Sequence, residues 1–328
     1  MMPSIRFLFL SFLLCVPPMV TGAADHCTNP GEYTADRRCY VTDVQKTQKP
    51  FNSVVALVDD KGKVYCTGTV VALRSVFYSF NNQDSSLIIL TAKHCTDRNE
   101  DGQPDQTLKV MLQNNQQLDV TFVKAGNYNI SDDTNEDGDW AVYQLPYMYS
   151  AEYMQKNIDP AEAFFGGFRP GVNGSLIGYG LLKIMSDAEI EEFRQRYLDY
   201  LTRNNLSVPK TEDNIYFESD YKETGMLIDG GIDTTHKQVL AFMKSDYKNN
   251  PNYLTSILSD NDKLKVSKCK YLSNDLDNMC QSWGGNSGGG YFNNYNSILC
   301  VHSKGKRIVG GYLHAATSDC VTPDSTYY

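Results

Sequence analysis

What this chain has little of narrows its function first. Basic residues are outnumbered, 30 Lys and Arg against 39 Asp and Glu, and the two signs are well mixed at a net −9. A nucleic-acid binder needs a basic face, so no nucleic-acid partner is expected. The lack of a polybasic patch likewise argues against attachment to an anionic lipid surface. No CxxC spacing occurs anywhere, which weakens any zinc reading of the cysteines. Beyond the first two dozen residues no apolar run is long enough to cross a bilayer, so no membrane span is expected in the mature chain. Internal repeats and low-complexity tracts are missing too. What remains is a 328-residue chain, 41% hydrophobic, able to bury the core of one large domain or two small ones.

The N-terminus has its own character. Arg6 gives a short positive start, Phe7 to Val16 form an apolar core, Pro17 and Pro18 end it, and Val20 to Ala24 offer small residues for cleavage. That is a secretory signal peptide over 1–24. Cys15 invites a lipoprotein reading, but Leu14 before it is bulky where lipid attachment wants a small residue. Removal of the signal leaves eight cysteines: Cys27, Cys39, Cys66, Cys95, Cys269, Cys280, Cys300 and Cys320. An even number in an exported chain predicts disulfides and a secreted or periplasmic destination.

Residues 25–49 are polar and punctuated and read as an N-terminal extension. From Phe51 the texture turns to short β-rich runs: Val54–Val58, Val64–Cys66, Thr69–Leu73, Leu87–Thr91, Leu108–Leu112, Leu118–Val123 and Trp140–Leu145, with polar turns between. A second series runs through Ser175–Gly180, Val239–Met243, Leu264–Leu272, Ile298–His302 and Arg307–Leu313. Short strands at this spacing predict an all-β sandwich or barrel. Asp187–Leu201 is the exception. Its apolar residues at 190, 193, 197, 198 and 201 have helical spacing, with Ser186 as N-cap and Glu189 three residues on. The stretch 183–262 therefore reads as a partly helical insertion.

Three stretches carry chemistry. In Gln281–Gly290 one hydroxyl, Ser287, stands among glycines, the setting in which a nucleophile can be exposed and backbone N–H groups can converge on an oxyanion. In Leu90–Cys95 a histidine, His94, ends an apolar strand; the alternative is a structural histidine. In Asp137–Leu145 a carboxylate, Asp139, opens another apolar strand; taken singly, a turn aspartate is the blander reading. The order His94, Asp139, Ser287 matches a known triad order. Ser287 would attack, His94 would take and return the proton, and Asp139 would fix the tautomer. The N–H groups of Gly285 and Ser287 would bind the oxyanion.

On these motifs the chain resembles the trypsin/chymotrypsin-like serine peptidases. Thr91–Cys95 is similar to the family's histidine motif, Asp139–Val142 to its aspartate motif and Gly285–Gly289 to its serine motif. The resemblance covers about 50–182 and 263–318. It implies two six-stranded antiparallel β-barrels with the site between them, the first over 50–165 and the second over 166–328 with the insertion inside it. It implies hydrolysis of protein or peptide substrates through an acyl-enzyme, with no cofactor required. The alternative is a catalytically silent module of the same fold that binds a protein partner. Departures are informative. No Ile-Val-Gly-Gly-like segment precedes Phe51, and Asn286 stands where zymogen-activated members pair an aspartate with a new terminal ammonium. Gly290 replaces the usual proline. The chain thus resembles the bacterial, glutamyl-endopeptidase-like branch, and activity should tolerate extra residues before Cys27.

The resemblance also supplies pairings and a pocket. The motif pairs Cys66 with Cys95 and family analogy pairs Cys269 with Cys280, leaving 27–39 and 300–320 out of 105 arrangements of eight cysteines. Ser282 and His314 are the expected pocket donors for an acidic side chain, the alternative being that His314 faces away. One signal lies outside the resemblance. Asp97, Asn99, Asp101 and Asp105, with Gly102 at the sixth position, have the spacing of a calcium loop, although Leu108 occupies the place of its bidentate glutamate. A structural calcium is one reading and a polar Asn/Asp-Gly turn the other.

Overall fold

The computed structural model describes residues 38–72, 87–99, 101–129, 138–146, 158–165, 173–206, 234–249, 252, 258, 260, 262–271, 277–280, 282–308 and 317–323. The signal segment, Cys27, Gln281 and His314 lie outside these residues. The described chain enters on β1 (Arg38–Tyr40) and continues with β2 (Val54–Val58), β3 (Val64–Ala72), β4 (Ile88–Thr91), β5 (Thr107–Met111), β6 (Gln117–Ala125) and β7 (Ala141–Gln144). The last six pair antiparallel in the cycle β2–β3–β4–β7–β6–β5 and back to β2, closing a six-strand barrel.

The amino-acid pattern explains the packing. All five residues of β2 are buried. Val55 and Leu57 point into the barrel with Val70, Ile89, Val110 and Val120, whereas Val54, Ala56 and Val58 pack outward on Ile177, Val266 and Phe292 of the second half. Alternate residues of a strand face opposite ways, so a strand covered on both faces reads as an unbroken apolar run. Full burial of each Val or Leu is worth about 1.5–3 kcal/mol. Strand β6 is wetter on one side and alternates, with Leu118 and Val120 inward.

The second half holds β9 (Asn173–Gly178), β11 (Lys265–Tyr271), β12 (Asp277–Met279), β13 (Gly290–Phe292), β14 (Ser297–Ile308) and β15 (Thr317–Val321). Their antiparallel pairings also return on themselves, in the order β9–β11–β12–β15–β14–β13, although β12 matches only two residues with each neighbour. Two further strands tie pieces together. β8 (Ala161–Ala163) lies parallel to both β3 and β14, and β10 (Thr234–Thr235) adds to the far end of β14. The N-terminal β1 pairs with β11, so this part of the extension belongs to the second half's sheet. Inside this half Leu176, Tyr291 and Leu299 pack with four half-cystines, bridged Cys269–Cys280 and Cys300–Cys320. Cys66 is bridged to Cys95. Cys39 is also disulfide-bonded, to a partner outside the described residues.

The insertion leaves β9 and returns at β11. Its helix Asp187–Arg203 begins with the Ser186–Glu189 capping box, both reciprocal bonds being present. Phe193, Tyr197 and Leu201 form its buried stripe. The β-rich reading of Val239–Met243 is corrected: these residues sit in a second helix, His236–Asn249. Apolar residues at 239, 242 and 243 have helical spacing, and the flanking lysines and glutamine favour a helix. Phe242 meets Phe193 edge-on at 5.3 Å and Tyr197 at 5.4 Å. Trp283, from the serine segment, completes this cluster together with Leu182 and Met185.

Candidate active site

His94 lies in a single 3-10 turn, Lys93–Cys95, directly after β4. The Cys66–Cys95 bridge ties that turn to β3, and Thr91 Oγ1 donates to Thr67 O at 2.7 Å. Lys93 Nζ reaches across to Gly126 O at 3.1 Å and Tyr128 O at 2.7 Å. Those residues in turn pair with the backbone around Asp139: Gly126 N–H donates to Trp140 O and Tyr128 N–H to Gly138 O. Burial holds the Lys93 ammonium below its usual range, against the pull of Asp139 and Asp97. The histidine turn and the aspartate loop are thus fastened to each other before their side chains meet.

Asp139 is 1% exposed and fully engaged. Its Oδ1 accepts from His94 N–H at 2.9 Å, and its Oδ2 meets His94 Nδ1 at 2.7 Å. The same Oδ2 accepts from Ser303 Oγ on β14 at 2.5 Å. Ser303 is the contact that sequence reading missed, because it comes from a strand 164 positions away. Its carbonyl accepts from Ser287 Oγ at 3.4 Å. The structure therefore joins His94 to Asp139 directly and Ser287 to that pair through Ser303. Among the described residues no hydrogen bond joins His94 to Ser287.

Ser287 sits in a loop whose backbone is pinned from several sides. Thr67, fully buried on β3, donates its N–H to Ser287 O at 2.8 Å and its Oγ1 to Gly285 O at 2.8 Å, while accepting from Tyr179 N–H at 2.9 Å. Two glycines are required by this geometry. Gly285 has φ +94° and Gly288 φ +82°, and a Cβ on Gly288 would lie 2.0 Å from Thr67 O. Gly284 O accepts from Leu181 N–H at 2.8 Å, and Gly289 N–H donates to Asn286 O at 2.8 Å. The N–H groups of Gly285 and Ser287 have no hydrogen-bond partner among the described residues.

Around this loop, Ser282 is 1% exposed and its hydroxyl has no partner among the described residues. His314 lies outside the described residues. The described histidine next to the site is His302, immediately before Ser303 on β14, with Nδ1 at 3.0 Å from Tyr291 Oη. Strand alternation turns it to the face opposite Ser303. Sequence reading missed His302 as well; the signal was the adjacent serine, which only the pairing with Asp139 reveals.

The 97–105 loop closes on itself. Asp97 accepts from the N–H groups of Asp101 and Gly102, Asn99 accepts from Asp101 N–H, and Asp101 accepts from Gln103 N–H. A calcium loop uses such turns too, but here Asp105 is paired with Arg98 at 2.8 Å and Leu108 is buried on β5. Asp97, Asp101 and Asp105 do not gather as a set within 4.8 Å. Of the four oxygen-bearing residues, Asp105 is thus engaged by Arg98. Cys66, His94 and Cys95 do gather that closely, but both sulfurs are in a disulfide and offer no thiolate.

A mostly β fold with one closed six-strand barrel, carrying a buried His–Asp pair and a glycine-flanked serine, resembles the trypsin/chymotrypsin-like serine peptidases in architecture as in motif. Among solved structures the chain is similar to a Glu endopeptidase in complex with MPD, with TM-score 0.45 and 13% identity over 90% of this chain and 94% of that one. It is also similar to the protease Anisep from Arthrobacter nicotinovorans, with TM-score 0.42 and 13% identity over 84% and 91%. No protein-family model matches the chain, and no curated protein sequence does.

Proposed function

We propose that this chain is an exported serine endopeptidase. The observation that carries the reading is the buried Asp139, which meets His94 Nδ1 at 2.7 Å while Ser303 links it to Ser287. With Nδ1 held by a carboxylate, His94 presents Nε2 as the nitrogen that exchanges a proton. Ser287 Oγ attacks the scissile carbonyl carbon, its proton passes to His94, and the carbonyl electrons move to the oxygen facing the Gly285 and Ser287 N–H groups. Collapse breaks the C–N bond as His94 protonates the leaving amine. Water, deprotonated by His94, then hydrolyses the acyl-enzyme and restores Ser287. The reading requires Ser287 Oγ to turn from Ser303 O toward His94, and catalytic hydrogen bonds commonly tighten only with substrate bound.

Labelling with a fluorophosphonate tests the reading, since the reagent reacts only with an activated serine. The mature chain should be labelled and should cleave peptides. Ser287→Ala should lose both, at a cost of at least about 10³-fold, and still fold. Undiminished hydrolysis by that variant rejects the assignment. One observation favours a second reading, a silent module that binds a protein partner: the Ser287 hydroxyl is directed at Ser303 O. Absence of labelling in folded wild-type chain would establish it.

Preference for an acidic side chain before the scissile bond extends the proposal. Ser282 supplies a buried hydroxyl, and a histidine beside it would make a donor pair suited to a carboxylate. A peptide-library profile favouring Lys, Arg or large apolar residues defeats this idea. If Glu is preferred, His302→Ala and His314→Ala tell which histidine serves. Export is supported by three disulfides among the described residues, and no described helix is long and apolar enough to cross a membrane.

A further inference from the structure

Where the chain leaves β9 for the insertion, Gly180–Ile184 has no regular secondary structure, yet each of its first four carbonyls is taken up. Gly180 O accepts from Lys265 Nζ at 2.8 Å and Leu181 O from Asp260 N–H at 3.4 Å. Leu182 O and Lys183 O accept from the two terminal nitrogens of Arg38, at 3.0 and 2.8 Å. Ile184 N–H donates to Tyr40 Oη at 3.0 Å, and Tyr40 donates to Asp260. Lys265 also donates to Asp260 O at 2.5 Å and Lys263 O at 3.2 Å.

This is an expensive way to hold a loop. Arg38 and Lys265 are each 3% exposed, and the Asp260 carboxylate lies 3.8 Å from Lys265 Nζ. Burial first, then the charge of Arg38, pushes the Lys265 amine down to about 7, while Asp260 and Asp262 pull it up and Lys263 adds to the repulsion. Burial raises Asp260, but the hydrogen bonds from Tyr40 and Lys263 leave its carboxyl below the usual range. Buried charge is a poor source of stability, and apolar side chains of similar volume often do as well. A placing role is the better account.

What the clamped stretch places is the serine loop. Leu181 N–H donates to Gly284 O at 2.8 Å. In a trans peptide the carbonyl and the following N–H point opposite ways, so this bond directs the Gly285 N–H away from Leu181. Glycines on both sides of that peptide leave its rotation sterically open, and a rotated peptide would present a carbonyl where an N–H is needed. Gly285 itself runs against the clamped stretch, since a Cβ on it would lie 2.5 Å from Tyr179 O.

Resting on the reading of Ser287 as nucleophile, we propose that Arg38 and Lys265 are positioning residues for oxyanion binding. They fix Gly180–Lys183, and Leu181 N–H then locks the Gly284–Gly285 peptide with its N–H turned to the reacting carbonyl. The anchor is internal, from side chains of β1 and β11. A terminal ammonium has no part in it, in keeping with the neutral Asn286.

The test uses the full mature chain with Arg38→Met, Arg38→Lys and Lys265→Met. Each is measured for kcat, KM, affinity for a peptide aldehyde, whose hemiacetal oxygen occupies the oxyanion position, and affinity for the same peptide ending in an unreactive amide. Arg38→Met should lower kcat by about 100-fold, the loss typical of a misplaced oxyanion donor, with KM within about twofold. Aldehyde affinity should fall by the same factor while the amide binds as before. Arg38→Lys, a point charge that cannot reproduce the planar fork, should fall between, and Lys265→Met should lower kcat and aldehyde affinity together. Unchanged kcat in folded Arg38→Met, or equal loss of both ligands, overturns the proposal. Should Arg38→Met not fold, Arg38→Lys decides: paired loss of kcat and aldehyde affinity supports the role, and loss of neither overturns it. A wild-type chain without activity or labelling would instead overturn the peptidase reading, which is settled before any variant is made.

Discussion

His94 and Asp139 are held mainly by their own barrel, whereas the serine loop is held by segments from far along the chain. On the barrel side the fastenings are a disulfide closing a separation of 29 residues, the reach of Lys93 over 33 and 35 positions, and the backbone pairs of Gly126 and Tyr128. On the serine side Thr67 reaches across 218 positions to Gly285, and Arg38 reaches 144 to Leu182. Trp283 is buried in a cluster built by the insertion helices. His94, the proposed base, is therefore held in place by a unit that closes on itself. Placement of Ser287, the proposed nucleophile, depends on the insertion and the N-terminal strand being docked. Damage of equal size in the two regions should have unequal consequences for catalysis.

Two cavities sharpen that contrast. Leu57 is fully buried in the first barrel, and Leu57→Ala should cost about 2–5 kcal/mol of stability. Trp283→Ala should cost a similar 3–5 kcal/mol. Well below their melting temperatures, the Leu57 variant should keep kcat within about threefold, while the Trp283 variant should lose tenfold or more as the serine loop slackens. Equal kcat in the two folded variants breaks the comparison.

A smaller effect lies in pH. Lys265 has its amine pushed down to about 7 in the folded chain, against 10.5 when unperturbed. Between these values the unfolded state binds the extra proton, so stability rises with pH through this window, by at most about 1.4 kcal/mol per unit. Below about 7 both states are protonated and the contribution is flat at its least favourable level. Denaturant unfolding from pH 6 to 10 should show this slope in the wild-type chain and a shallower one in Lys265→Met. Parallel curves would show that the buried amine does not titrate there.

The residues whose meaning is local were legible in the sequence. His94, Asp139 and Ser287 stand out because each motif carries its own backbone setting, and the helix at Asp187 announced itself through its cap and apolar stripe. Strands such as β2 and β4 were legible as apolar runs between turns. Ser303, His302, Thr67 and Arg38 were not, because their significance comes from partners brought close only by folding. In the 97–105 loop the oxygen spacing could not show that Arg98, one residue into the same run, is paired with Asp105. Val239–Met243 misled because five apolar residues fit a strand as well as a helix when read without their flanks.

The short strand β8 has a mechanical consequence. It is hydrogen-bonded in parallel to β3 on one edge and to β14 on the other, at Val71–Ala161 and at Ser297–Glu162. Separating the two halves at this point would require breaking backbone hydrogen bonds along an edge of this strand. The two halves are thus stapled to each other through backbone at this strand, in addition to the side-chain packing of β2 against the second half.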